Sequence, residues 1–174
     1  QRLEDKDYYK KLDSFYQSEL TKAIVNANNC YLVEGYADVI SMHQAGVENV
    51  VASSGTSLTE DQIKLISRYT QNITVLYDGD TAGIKASIRG IDMILEEGMN
   101  VSVVEFPNGE DPDSYIRKLG GEEFKSFIKS KAKDFITFKT ELFLKEAAND
   151  PIKKAGVIKE IVLSIAKIPD SIKR

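Results

Sequence analysis

The chain is poor in the residues that staple, anchor or grip. It holds one cysteine, Cys30, which excludes an internal disulfide and a cysteine-based zinc site, so no zinc is expected here. Cys30 opens an apolar run and reads as an inert, half-buried thiol, in keeping with a reducing cytoplasm. No apolar stretch approaches the roughly 20 residues that a membrane-spanning helix needs, and no signal peptide is visible, so no membrane partner is expected. Positive charge is also scarce: 23 Lys and Arg against 27 Asp and Glu leave a formal net charge of −4. That argues against a broad basic face for phosphates. A nucleic-acid partner must then be reached through metal ions or through basic surface on other domains. The one histidine, His43, sits inside a predicted helix, where a surface or packing role is expected. No Ser/His/Asp arrangement, HExxH motif or GxxxxGKS/T loop is present.

What is present is a globular composition. The 174 residues are 42% apolar and 29% charged, enough for one domain with its own core, or one domain and a small appendage. The chain starts at Gln1 without a methionine and ends in "IPDSIKR", so it is expected to be a piece of a longer protein.

Residues 8–27 carry apolar side chains at helical spacing: Leu12, Phe15, Tyr16, Leu20, Ala23, Ile24 and Ala27. β-rich runs follow at "CYLV" (30–33), "NVVA" (49–52), "NITVLY" (72–77) and "VSVVE" (101–105). Helical segments at 36–45, 59–69 and about 81–97 separate them. Thr59 and Gln62 form a capping box, and Gly98 suits the left-handed position after a helix. Strands alternating with helices, and strands apolar along their length, predict an α/β fold with a parallel sheet of about four strands covered on both faces. From about residue 111 the β signal disappears. The tail reads as helices, with Lys125, Lys129, Lys131, Lys133 and Lys139 as a solvated face. The expected organisation is a helical lead-in over 1–28, an α/β domain over 29–120 and a helical subdomain over 121–174.

In open α/β sheets, ligands bind beyond the carboxyl ends of the strands. Glu34, Gly35 and, a turn later, Asp38 follow the first predicted strand. Asp78, Gly79 and Asp80 follow the third, and Glu110, Asp111 and Asp113 lie after the fourth. Parallel strands bring these acids to one edge. A cluster of like charge calls for a hard divalent cation, Mg²⁺ (or Mn²⁺), and a set this large can hold two ions. Local duties compete with that reading. Asp78-Gly79 is also ordinary turn chemistry, Asp80 can cap the following helix, and Asp111-Pro112 is an ordinary helix start. Glu34, ending an apolar strand before a glycine, has no such duty. After the second strand, "SSGTS" (53–57) is either a plain loop or a phosphate cradle built on Gly55 and Thr56. Lys85 and Arg89, one and two turns past Asp80, either reach a phosphate or decorate a helix face.

The strings "VEGYADVI" (33–40), "ASSGTS" (52–57), "YDGDTAGIKAS" (77–87) and "PNGEDPDSYIRKLG" (107–120), in this order, resemble the Toprim domain of bacterial replicative DNA primases. The general Toprim pattern, a Glu after one strand and DxD after another, is shared with topoisomerases, nucleases and maturases. The longer strings are more specific to primases. The resemblance covers residues 30–120 and extends into the tail. It implies that Glu34 is the catalytic glutamate, that Asp78 and Asp80 are metal ligands, and that Asp38, Asp111 and Asp113 are further acids of the site. It also implies a DNA-directed RNA polymerase that makes short primers from nucleoside triphosphates on single-stranded DNA. The family's zinc-binding, basic N-terminal and helicase-binding domains have no counterpart here. The piece alone is therefore expected to bind metal without making primers. A Toprim nuclease or maturase is the closest alternative, and a receiver-like Mg²⁺-binding domain, which wants an acidic pair after its first strand, a more distant one.

Overall fold

The four β-rich runs form strands, and the sheet they build is larger by one strand than the sequence pattern predicts. A computed structural model describes residues 17–53, 58–78, 81–107, 109–148 and 150–169. Helix α1 (17–27) leads into β1 (Cys30–Val33), α2 (Tyr36–Gln44), β2 (Val50–Ala52), α3 (Glu60–Ser67), β3 (Asn72–Tyr77), α4 (Thr81–Glu96) and β4 (Asn100–Glu105). Then come α5 (Pro112–Leu119), α6 (Gly121–Lys131), β5 (Lys133–Asp134), α7 (Phe135–Ala147) and α8 (Pro151–Lys167). The part of the predicted first helix before residue 17 lies outside the described residues.

The sheet order is β2-β1-β3-β4-β5. β1 pairs in parallel with β2 and β3, β3 pairs in parallel with β4, and the short β5 runs antiparallel to β4. The tail is thus not purely helical. Its "KD" at 133–134 closes the sheet edge, a contact that a two-residue strand without apolar alternation cannot announce.

Alternating residues of the central strands feed two cores. Leu32, Val75 and Val103 point to one, with Ile63, Ile66, Ile91, Ile94, Phe135 and Phe138 from α3, α4 and α7. Val33, Leu76 and Val104 point to the other, with Met42, Ile116, Phe124 and Ile128 from α2, α5 and α6. Burying both faces explains why the strands read as continuous apolar runs. Cys30 is not half-buried but fully enclosed, and burial pushes its thiol up to about 12. On the second face Phe106 meets Tyr115 edge-on at 5.5 Å and stacks on Phe124 at 5.9 Å, pinning α5 and α6 to the end of β4. Gly121 serves close approach: a Cβ there would stand 2.6 Å from the Ala45 carbonyl oxygen, where α6 begins against the end of α2.

The predicted punctuation is present. Thr59 accepts from the Gln62 N–H while Gln62 accepts from the Thr59 N–H. Gly98 has φ +79° after α4, and Asp111 caps α5 ahead of Pro112. Lys139 departs from expectation. It is 2% exposed, its Nζ donates to Ser164 Oγ at 2.6 Å, and Ser164 Oγ donates to Asp92 Oδ1 at 3.0 Å. Asp92 Oδ1 lies 3.6 Å from Lys139 Nζ, and Lys167 pairs with both Asp92 and Glu96. The rings of Phe135 and Phe143 flank the Lys139 ammonium at 5.7 and 5.6 Å. This network ties α4 to α7 and α8, whereas Lys129, Lys131 and Lys133 are exposed as expected. No helix of the described residues is long and apolar enough to cross a membrane.

Removing one partner strands the other charge in the interior, so Asp92→Ala is expected to cost about 3 kcal/mol in urea denaturation. The double variant Asp92→Ala/Lys139→Met should regain most of that loss, because the ammonium is gone as well. Equal stability of Asp92→Ala and wild type would refute a structural role for the pair.

Candidate functional site

The chain order dictates where a ligand can enter. From β1 the chain moves outward on one side to β2, then crosses over to β3 and continues on the other side to β4. The two halves therefore part between β1 and β3, the switch point at which such sheets open a crevice. Leu32 is paired with Val75. Continuing that register two residues brings Glu34 level with Tyr77, one residue before Asp78. Glu34 is exposed and Asp78 half-buried, each just past the end of its strand. The structure thus brings these two predicted residues to one opening. Gly79 and Asp80 lie outside the described residues.

Asp38, Asp111 and Asp113 gather beside this opening, where α2 meets α5. Asp38, expected one turn beyond Glu34, is 7% exposed. Its Oδ2 accepts from the Gly35 N–H at 3.1 Å and its Oδ1 from the Asp113 N–H at 3.2 Å. One carboxylate thus satisfies free N–H groups at the start of both helices. Burial raises the Asp38 pKa above its ordinary 3.8; the two N–H donors oppose the shift, and the nearby Asp111 and Asp113 charges add to it. Asp111 accepts from the Ser114 N–H at 2.6 Å as the N-cap of α5. Asp113 Oδ1 accepts from Ser41 Oγ and pairs with Arg117 Nη2 at 2.9 Å. Glu110 accepts from Lys118 Nζ at 2.9 Å and from Ser114 Oγ at 2.8 Å, and these contacts, Lys118 first, lower its pKa.

Ser41, Arg117 and Lys118 are contacts of these acids that the sequence pattern does not single out. Arg117 was legible in principle, since Asp113 to Arg117 is an i, i+4 pair on a helix, whereas Lys118 reaches Glu110, eight residues back and before the helix. Ser41 had no signal, because its partner is 72 residues away. Of the proposed phosphate binders, Gly55 and Thr56 lie outside the described residues. Lys85 and Arg89 fall on α4, and their side chains are likewise outside them. Ser53, which opens that loop, donates its N–H to the Val33 carbonyl at 3.0 Å, so the loop leaves the sheet beside Glu34. His43 is exposed in the last turn of α2.

Among the described residues no three His, Cys, Asp or Glu side chains form a ready metal cage. The donor set still fits Mg²⁺, which takes oxygen ligands, keeps several waters and is held by one or two carboxylates with substrate phosphates. The opposite edge of the sheet is different in kind. There Asn49 Nδ2 donates to the Asn29 carbonyl at 2.8 Å, Asn72 Nδ2 to the Asn28 carbonyl at 3.0 Å, and Asn100 Nδ2 to Asn72 Oδ1 at 2.8 Å. Neutral amides close the amino ends of the strands, while acids collect at the carboxyl ends.

An acid at each side of the β1/β3 opening, on a sheet of this order, is the arrangement of a Toprim domain, and residues 31–116 match the Toprim-like family. A DNA primase of Staphylococcus aureus (strain COL) is 37% identical over 151 residues, which is 87% of this chain and 25% of that protein. A DNA primase domain from Pseudomonas aeruginosa superposes with a TM-score of 0.74 at 32% identity, over 83% of this chain and 46% of that one. A DnaG primase catalytic domain solved bound to ssDNA gives a TM-score of 0.73 at 32% identity, over 83% of this chain and 48% of that one. The chain belongs to the Toprim-like family, and the relatives it resembles are DNA primases. It spans about a quarter of the length of the curated relatives it matches.

The two perturbed carboxyls beside the opening, Asp38 and Glu110, titrate in opposite senses. The folded chain holds the Asp38 proton more tightly than the unfolded chain does. That group therefore favours the folded state below 3.8 and loses its contribution as pH rises through its raised folded value. Glu110 contributes fully above 4.5 and loses its contribution as pH falls through its lowered folded value. A carboxyl ¹³C NMR titration is expected to find Asp38 above and Glu110 below these reference values; the reverse order would contradict the geometry described.

Proposed function

We propose that this chain is the catalytic Toprim part of a DNA primase, a DNA-directed RNA polymerase that makes short RNA primers for replication. The observation that carries the reading is the meeting of Glu34 and Asp78 at the β1/β3 switch point. The primer 3′-hydroxyl attacks the α-phosphate of a nucleoside triphosphate held on single-stranded template, and pyrophosphate leaves. Glu34, Asp78 and Asp80 are the residues to hold Mg²⁺ or Mn²⁺, Glu34 and Asp78 sharing one ion and Asp78 and Asp80 a second. Bound there, the ions supply neutralising charge on the attacking oxygen and on the triphosphate. The chain's own part is to hold the carboxylates rigidly at the strand ends. Asp38, Asp111 and Asp113 fasten α2 to α5 beside them and serve as further or outer ligands. Gly55 and Thr56 after β2, with Lys85 and Arg89 on α4, are the candidates for phosphate contact.

On this reading residues 29–120 are the catalytic domain, 1–28 its lead-in and 121–174 a helical subdomain. The parent protein works in the cytoplasm on template DNA, nucleoside triphosphates and the growing RNA primer. It meets the replicative helicase through a domain outside this sequence. The basic surface needed to grip template is also outside it, consistent with the net charge of −4, so this chain alone binds metal and does not make primers. A Toprim nuclease would use the same acids with water as nucleophile; cleavage of DNA or RNA by the parent protein, without polymerisation, would favour it.

Crystals soaked in Mn²⁺ are expected to give anomalous density beside Glu34 and Asp78, and Asp78→Asn should abolish it. Density elsewhere, or none at saturating metal, would refute the site. In the parent protein, Glu34→Gln and Asp78→Asn should each lower primer synthesis by on the order of a hundredfold or more, with thermal unfolding little changed.

A further inference from the structure

Resting on the reading of the acidic edge as a nucleotidyl-transfer site, we propose that Tyr36 is a base-stacking residue that receives a nucleobase beside the metal-binding acids. Tyr36 is the first residue of α2 and lies two positions after Glu34. It is 68% exposed, against 38% for Tyr69, the other exposed aromatic among the described residues. Its ring has no aromatic or cationic partner among the described residues. Ile40, one turn on, is 57% exposed, and His43 continues the same stripe at i, i+4 and i+7. With Ala37 and Gln44 these residues make up the outward face of α2. That face carries no Lys, Arg, Asp or Glu, although 29% of the chain is charged. On α3, by contrast, the outward residues include Glu60, Asp61 and Lys64.

The charges at the site divide the work. Carboxylates repel phosphates, so the phosphates of a nucleotide can be held here only through cations. The base then needs an uncharged flat surface within a nucleotide's length of the metal. Aromatic rings supply that surface without reading sequence, because every base presents a π-face. Tyr36, fixed at the first turn of α2 by the contact from Asp38 to the Gly35 N–H, is such a surface next to Glu34. The nucleobase can come from the incoming nucleotide or from the single strand, and the chemistry of the contact is the same.

Binding by this chain separates the possibilities. ATP, inorganic triphosphate and an oligothymidylate are each titrated in Mn²⁺. Tyr36→Ala is expected to weaken ATP, the oligothymidylate or both by about tenfold and to leave triphosphate unchanged, while Tyr36→Phe binds as wild type. Loss confined to ATP assigns the incoming base, and loss confined to the oligothymidylate assigns the strand. The chain has no tryptophan, so Tyr36→Trp adds a single fluorophore that stacking should quench. Wild-type and Tyr36→Ala chains that bind both base-bearing ligands alike, or bind neither, would overturn the proposal; so would an equal loss of triphosphate. Mn²⁺ titration by EPR tests the metal reading separately: an Mn²⁺ site with Tyr36→Ala binding as wild type sinks Tyr36 alone, and no Mn²⁺ site sinks the reading on which it rests and the proposal with it.

Discussion

The parallel pairing of β1 with β3 is the constraint on which the rest of this structure depends. β1 can reach β2 on one side and β3 on the other only if the chain crosses over it, and that crossing sets where the sheet opens. The register from Cys30↔Ile73 to Leu32↔Val75 then decides which residues leave the strands at the opening. A slip of one residue would turn Leu32 and Val75 from one core toward the other and move Glu34 off the edge. Two apolar cores, one on each face, oppose that slip. Burial of the strands is in this sense what places the carboxylates.

The acids beside the opening show how one residue can serve fold and site together. Asp38 is enclosed, which disfavours its charge, yet it accepts from the first N–H groups of two helices at once. The link is local in chemistry and distant in sequence, joining residues 75 apart. It makes α2 and α5 a single wall of the crevice.

Much of this was legible in the residues, and the exceptions have a common cause. Periodicity, caps and glycines speak about neighbours within a turn or two, and the strands at 30–33 and 72–77, the Thr59 capping box and the Asp111 cap all follow from them. Parallel topology followed from the strand–helix alternation, and with it the convergence of Glu34 and Asp78. β5 was hidden because its two residues pair with β4 through backbone alone. Lys139 was misread because a lysine among apolar helical positions looks like a solvated face. Its acid lies on α4 and its hydroxyl partner on α8, neither at helical spacing from it. Long-range polar contacts leave no periodic trace.

The charges near the opening are not one undifferentiated cluster. Asp113 has Arg117 and Glu110 has Lys118, each basic residue supplied by α5 itself. Asp38 is relieved by backbone donors, and Asp111 by the helix it caps. Glu34 has no ion-pair partner among the described residues, and it stands at the switch point rather than beside it. Local pairing therefore stabilises the outlying acids and leaves the central glutamate without a paired charge among the described residues.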